Sequence, residues 1–381
     1  MPDSVLSIEP FRIDIPQAQL DDLDRRLAAT RWPDELPGAG RQYGVPLGEL
    51  RDLVAYWRDG YDWRRQERRL NAVPQFTTRI DGQLVHFLHV RSARPDALPL
   101  ILTHGWPGSV LEFLGVIGPL TDPAAHGGDP ADAFHVVVPS MPGFGFSGPT
   151  SEPGWTGQRV ARAWAELMPA LGYHRYGAQG GDIGARVSRE LGRIAPEQVA
   201  GVHLNFLFTP PTGNPADFSA EERAAAAGLA RYDRELSGYF RQQSTRPQTL
   251  AYALTDSPAG LAAWIGEKFT EWSDPASQIS RDDVLTDVML YWLTGTVNSS
   301  IRMYWEHYHA RDGSAPLPSR APTGIAIFPH ELAPPVRALA EQAGHIVHWS
   351  PQPRGGHFAA LEEPGLLVDD LRAFFRPLRA S

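Results

Sequence analysis

The chain has 381 residues, a formal net charge of −9, eleven tryptophans and no cysteine. Its length implies one large core with an appended or inserted unit, and the negative charge argues against nucleic acid as a partner. Lack of cysteine excludes disulfides, thiolate zinc sites and a thiol nucleophile.

No apolar run reaches the roughly 18 to 20 residues that a membrane span needs. The first twenty residues have neither a basic start nor an apolar stretch, so no secretory signal is visible and a cytoplasmic protein without membrane contact is expected. Lys268 is the only lysine, and the richness in Arg, Ala, Gly and Pro points to a GC-rich coding genome.

Leu20, Leu23 and Leu27 fall at helical spacing within residues 16–31, a predicted helix that ends before Pro33. Leu47, Leu50, Val54 and Trp57 repeat that spacing up to Gly60. Residues 1–75 therefore read as an N-terminal helical extension. Next, residues 76–80 and 84–90 flank Asp81-Gly82, the pair that supplies the positive φ angles of a type I′ hairpin turn.

Apolar runs suited to buried parallel strands follow at 98–103, 134–139, 199–206, 324–328 and 346–349, with helical spacing between several of them, as at 158–171. A further short strand is expected at 173–179. Residues 209–319 contain no such run but many aromatics, among them Trp264, Trp272 and Trp292, and read as a helical lid. The expected fold is α/β: an α/β-hydrolase fold with a mostly parallel sheet, built from 76–208 and 320–381. A ligand site is expected beyond the carboxyl ends of the strands.

Gly180-Gly181-Asp182-Ile183-Gly184 is a nucleophile-elbow pattern with aspartate in place of the usual serine. A serine would take an acyl group; a carboxylate instead displaces a leaving group at saturated carbon, such as an epoxide oxygen or a halide. Gly-rich turns holding Asp are also common as plain Asx-turns, but the predicted strand before this one and helical spacing at Val187, Leu191 and Ile194 after it supply the context of an elbow.

His357 follows the last predicted strand in Gly355-Gly356-His357-Phe358, where a loop histidine can reach the elbow and activate water. Glu331, just beyond the penultimate strand, is the candidate carboxylate to orient it, whereas residues 207–211 contain no acid. The turn His104-Gly105-Trp106-Pro107-Gly108-Ser109 brings an amide at Trp106 that, with that of Ile183, suits an oxyanion hole. His104 reads as a structural loop residue. Ring opening also needs a proton donor, for which Tyr239 and Tyr304 of the lid are candidates, although a lid tyrosine is more often packing.

Together these residues resemble the microsomal-type epoxide hydrolases, including the juvenile hormone epoxide hydrolases. The resemblance runs from Pro10-Phe11-Arg12-Ile13 through Thr30-Arg31-Trp32-Pro33, Tyr61-Asp62-Trp63-Arg64 and Leu70-Asn71 to Gly355-Gly356-His357-Phe358-Ala359-Ala360. It implies Asp182 as nucleophile, Glu331 as acid, His357 as base and Tyr239 and Tyr304 as the ring-opening pair.

It also implies a cofactor-independent enzyme that acts on a small-molecule epoxide and water; as a departure, the N-terminal membrane anchor of the mammalian members is missing, so a soluble enzyme is expected. A homo-oligomer is left open. The lid aromatics point to a bulky or aryl epoxide, and the GC-rich origin to a natural-product intermediate.

Ile183 stands where an aromatic residue is common in that family. A haloalkane dehalogenase would want an indole N–H there, which Ile183 lacks, and a catalytically silent binding protein would have lost competent residues. Metal hydrolysis has only the lone His307-Tyr308-His309 in its favour.

Overall fold

A computed structural model describes residues 6–277, 279–310 and 319–379 of the chain. Nine strands form one sheet: β1 (Glu9–Phe11), β2 (Gln75–Ile80), β3 (Gln83–Val90), β4 (Leu98–Thr103), β5 (Phe134–Pro139), β6 (Tyr176–Gly180), β7 (Val199–Leu204), β8 (Ser319–Ile327) and β9 (Gly344–Pro351). Their spatial order is β1-β2-β3-β5-β4-β6-β7-β8-β9. From β5 onward the neighbours pair parallel, while β1, β2, β3 and β5 pair antiparallel. This is the α/β-hydrolase fold.

The β2–β3 hairpin forms as expected, with Asp81 at φ 49° and Gly82 at φ 75°. Residues of β5 are buried along its whole length, as a central strand covered on both faces requires. Core side chains fill both faces of the sheet: Trp164, Val187 and Leu191 on one, Leu100, Val136 and Phe374 on the other. The order reverses around β4, since the chain steps from it to β5 on one side and returns to β6 on the other. A crevice at the carboxyl ends of β4 and β6 is the geometric result.

Several elements differ from the sequence expectation. Strand β1 lies inside the extension read as helical, because three residues containing a proline carry no periodicity; Pro10 is tolerated there at the sheet edge. A third helix, Trp63–Asn71, also escaped that reading: it is mostly charged, and only Trp63, Gln66, Glu67 and Leu70 are buried. The expected strand at 173–179 begins at Tyr176, after Gly172 at φ 89° ends the preceding helix. The elbow helix spans Asp182–Ile194 and so starts earlier than its apolar spacing implied.

Between β7 and β8 lie the helices Ala220–Arg231, Gly238–Thr245, Pro247–Asp256, Pro258–Glu271, Arg281–Thr294 and Val297–His309. Residues 311–318, at the end of the predicted lid, fall outside the described residues. The N-terminal extension is tied to this insert and to itself by polar contacts. Tyr56 donates to Asp282 at 2.6 Å, and Arg69 pairs with Asp283 at 2.7 Å. The Asn71 amide clasps the Ile13 backbone at 2.9 and 2.8 Å.

Candidate active site

Strand β6 runs into the crevice and turns sharply into the helix Asp182–Ile194. Asp182 has φ 46°, a left-handed conformation that costs a non-glycine residue energy and recurs at functional turns. Tight packing enforces it: a Cβ on Gly184 would lie 1.9 Å from the Thr103 carbonyl oxygen, and one on Gly105 would lie 2.3 Å from the Asp182 side chain.

The Trp106 amide donates to Asp182 Oδ1 at 2.9 Å. Burial raises the Asp182 pKa, while His357 and the amides of Trp106 and Ile183 pull it down, with burial prevailing. Both amides therefore face the carboxylate. The two residues picked as oxyanion donors come together here, one from the end of β4 and one from the elbow.

His357 stands in the loop after β9. Its Nε2 is 3.6 Å from Asp182 Oδ2, and its Nδ1 is 2.8 Å from Glu331 Oε1. Burial opposes protonation of the imidazole, but the Glu331 and Asp182 carboxylates outweigh it and hold the pKa up at about 9. The loop is anchored by His357 N–H to the Trp272 carbonyl at 3.0 Å, and Trp272 packs edge-on against the imidazole.

Across a cavity of about 390 Å³ from Asp182 stand Tyr239 and Tyr304, carried by the helices Gly238–Thr245 and Val297–His309. Their rings meet edge to face at 5.9 Å, and both contact the Trp106 indole, Tyr239 by stacking at 5.3 Å. Burial pushes both phenols well above their ordinary pKa, so they stay protonated and able to donate. Aromatic and apolar walls complete the cavity, with Phe206, Phe208, Phe240 and Leu332 among them.

Other neighbours carried no signal in the sequence. The Tyr232 and Tyr239 hydroxyls are 2.9 Å apart, and the ammonium of Lys268 lies 5.0 Å over the Tyr239 ring. On the other side of Asp182 a space of about 10 Å³ is walled by Gly108, Glu112, Asn205 and His357, room for about one water. Glu112 follows the Trp106 turn by a few residues, and an acid so placed was the one available clue.

His104 is structural, as expected: its Nε2 accepts from the Met141 amide at 3.2 Å and its Nδ1 faces the Gly105 carbonyl at 2.9 Å, while burial lowers its pKa to about 4. His307 likewise spends both ring nitrogens on the backbone, at Gly157 and Met303.

This arrangement has close relatives. Residues 8–113 match the family described as the epoxide hydrolase N terminus, and residues 99–261 match the alpha/beta hydrolase fold. A Stigmatella aurantiaca protein provisionally named an epoxide hydrolase is 50% identical over 98% of this chain and 86% of its own length. Epoxide hydrolase 1 of Sus scrofa is 36% identical over 97% of this chain and 88% of its own.

The chain belongs to the epoxide hydrolases. Among solved structures, the Aspergillus niger epoxide hydrolase superimposes with a TM-score of 0.88 at 36% identity, covering 98% of this chain and 97% of that one. As an epoxide hydrolase, the protein takes an epoxide and water, and its inserted helices face the elbow across the substrate-sized cavity. No helix among the described residues is long and apolar enough to cross a membrane.

Proposed function

We propose that this epoxide hydrolase works through a covalent ester on Asp182 and turns a bulky apolar or aryl epoxide into a vicinal diol. The observation that carries this reading is the carboxylate on a strained elbow, within reach of His357 and facing two protonated phenols across an aromatic cavity. Oδ1 already accepts the Trp106 amide, which leaves Oδ2 to attack the ring carbon. The ring C–O bond breaks, and the oxygen takes a proton from Tyr239 or Tyr304.

In the second step water attacks the ester carbonyl carbon while His357 accepts its proton. The amides of Trp106 and Ile183 hold the tetrahedral oxyanion. Collapse breaks the acyl C–O bond, the imidazolium returns its proton to the departing alkoxide, and the acid left on Asp182 reprotonates the tyrosinate. Net change is epoxide plus water to diol.

Ester formation also prepares the base. In the free enzyme the charge on Asp182 helps hold His357 protonated; once esterified, Asp182 is neutral and that support is gone. The His357 pKa then falls, although Glu331 still supports the charged form, and the change favours the free imidazole needed for water activation. The small space beside Glu112, Asn205 and His357 suits the attacking water.

His357→Gln, incubated with styrene oxide, is expected to gain the mass of one substrate and stall, whereas Asp182→Asn gains none. In a single turnover with enzyme in excess in heavy-oxygen water, the diol is expected to come out unlabelled and Asp182 labelled. A fully labelled diol from that first turnover sinks the covalent route.

A further inference from the structure

Arg186 sits one helical turn beyond Asp182 on the same helix, an i, i+4 step that puts both side chains on one face, about 5–6 Å apart along the axis. It lines the cavity with Asp182, Tyr239 and Tyr304. The residue is exposed to solvent in the free enzyme, and among the described residues no hydrogen bond or ion pair to it is seen. A little further along the same helix, Arg193 is held by Glu190.

No group in the cavity wall supplies the missing partner. His307, which feels the Arg186 charge, accepts from the Gly157 amide through Nε2 at 2.6 Å, which puts its proton on Nδ1 toward the Met303 carbonyl. It is thus neutral and has no lone pair left for a guanidinium. Phe206, Phe208, Leu229 and Leu332 are apolar. Asp182 provides the one opposing charge felt by Arg186, and ester formation would remove it.

An apolar substrate filling this space strips water from the guanidinium and gives nothing back, whereas a carboxylate on the substrate restores a partner just when Asp182 loses its charge. Resting on the epoxide-hydrolysis reading above, we propose that Arg186 is an anion subsite selecting epoxides that bear a carboxylate roughly one helical turn, about 5–6 Å, from the oxirane.

Styrene oxide, 4-(oxiran-2-yl)benzoate and the methyl ester of the latter separate charge from size. In the wild type, kcat/KM for the carboxylate is expected to exceed that for its methyl ester by about 10-fold or more, the worth of one charge-assisted hydrogen bond. Added salt should shrink the ratio. Arg186→Gln should collapse it to near one, and Arg186→Lys should restore part of it.

A ratio unchanged by Arg186→Gln, or a wild type that prefers the ester, overturns the subsite. Binding of 4-ethylbenzoate by calorimetry reads the same subsite without turnover: about 10-fold weaker binding by Arg186→Gln supports it, and equal binding refutes it. Failure of all three epoxides to yield diols, with 4-ethylbenzoate still bound through Arg186, would strike the hydrolysis reading and leave the subsite standing.

Discussion

Asp182 holds a backbone conformation that an ordinary residue avoids, and the same strain lifts its carboxylate into the crevice with one oxygen on the Trp106 amide. The two phenols opposite share one indole face and edge, and in the proposed scheme each donates to the same ring oxygen. Single substitutions Tyr239→Phe and Tyr304→Phe are therefore expected to slow ester formation by about 10- to 100-fold each, less than the roughly 10²- to 10⁴-fold usual for a general acid because the other phenol still donates. The double variant should lose nearly all of it. Single-turnover fluorescence or quench kinetics would check this, and a double variant no slower than either single would refute shared donation.

Asp182, Glu331 and His357 could be picked out of the chain because each lies just past a strand end, where short-range pattern and sheet topology together dictate position. Tyr239 and Tyr304 had no such mark; they were candidates only as lid tyrosines until the resemblance favoured them, since their approach to Asp182 depends on how inserted helices pack. Arg186 stood in plain view one turn past Asp182. Its meaning depended on finding no partner around it, which no spacing rule supplies.

At the scale of elements, the elbow works because β4 and the helix after β6 approach without side chains between them. Gly184 meets the Thr103 carbonyl so closely that a methyl group would force strand and helix apart. Gly184→Ala is expected to cost about 3 kcal/mol by overpacking, seen as a melting temperature lower by several degrees. Turnover should suffer more than stability, because Asp182 would leave the Trp106 amide. A variant with unchanged melting and activity would show that the turn is not held by this contact.

Elements with a long apolar pattern were legible, and those without were not. Strands β4 and β5 stand where their apolar runs put them. Strand β1 and the helix Trp63–Asn71 owe their existence to partners far along the chain: β2 for the one, and the Ile13 and Ile15 backbone, clasped by Asn71 and Glu67, for the other.

Across the whole molecule, the N-terminal extension is part of the packed body. Leu23, Leu27, Val54 and Trp57 are buried in the main core, and Tyr56 and Arg69 reach across to Asp282 and Asp283 on the insert helix Arg281–Thr294. Removing residues 1–72 would expose this apolar surface and delete β1 as well. The truncated chain is expected to aggregate or to lose near-ultraviolet circular dichroism and a sharp melting transition; a monomeric, cooperatively melting, active truncation would show the extension to be dispensable.

What the sequence alone determined was the α/β order, the hairpin and the three strand-end residues, because these follow from local periodicity and from topological rules that act on every parallel sheet. Tertiary structure alone decided which inserted side chains face Asp182, where a water-sized space opens, and that Arg186 lines the cavity with Asp182 as its one opposing charge. Such features arise where segments distant in the chain meet, and the energy that fixes them lies in packing between those segments, which no stretch of residues contains by itself.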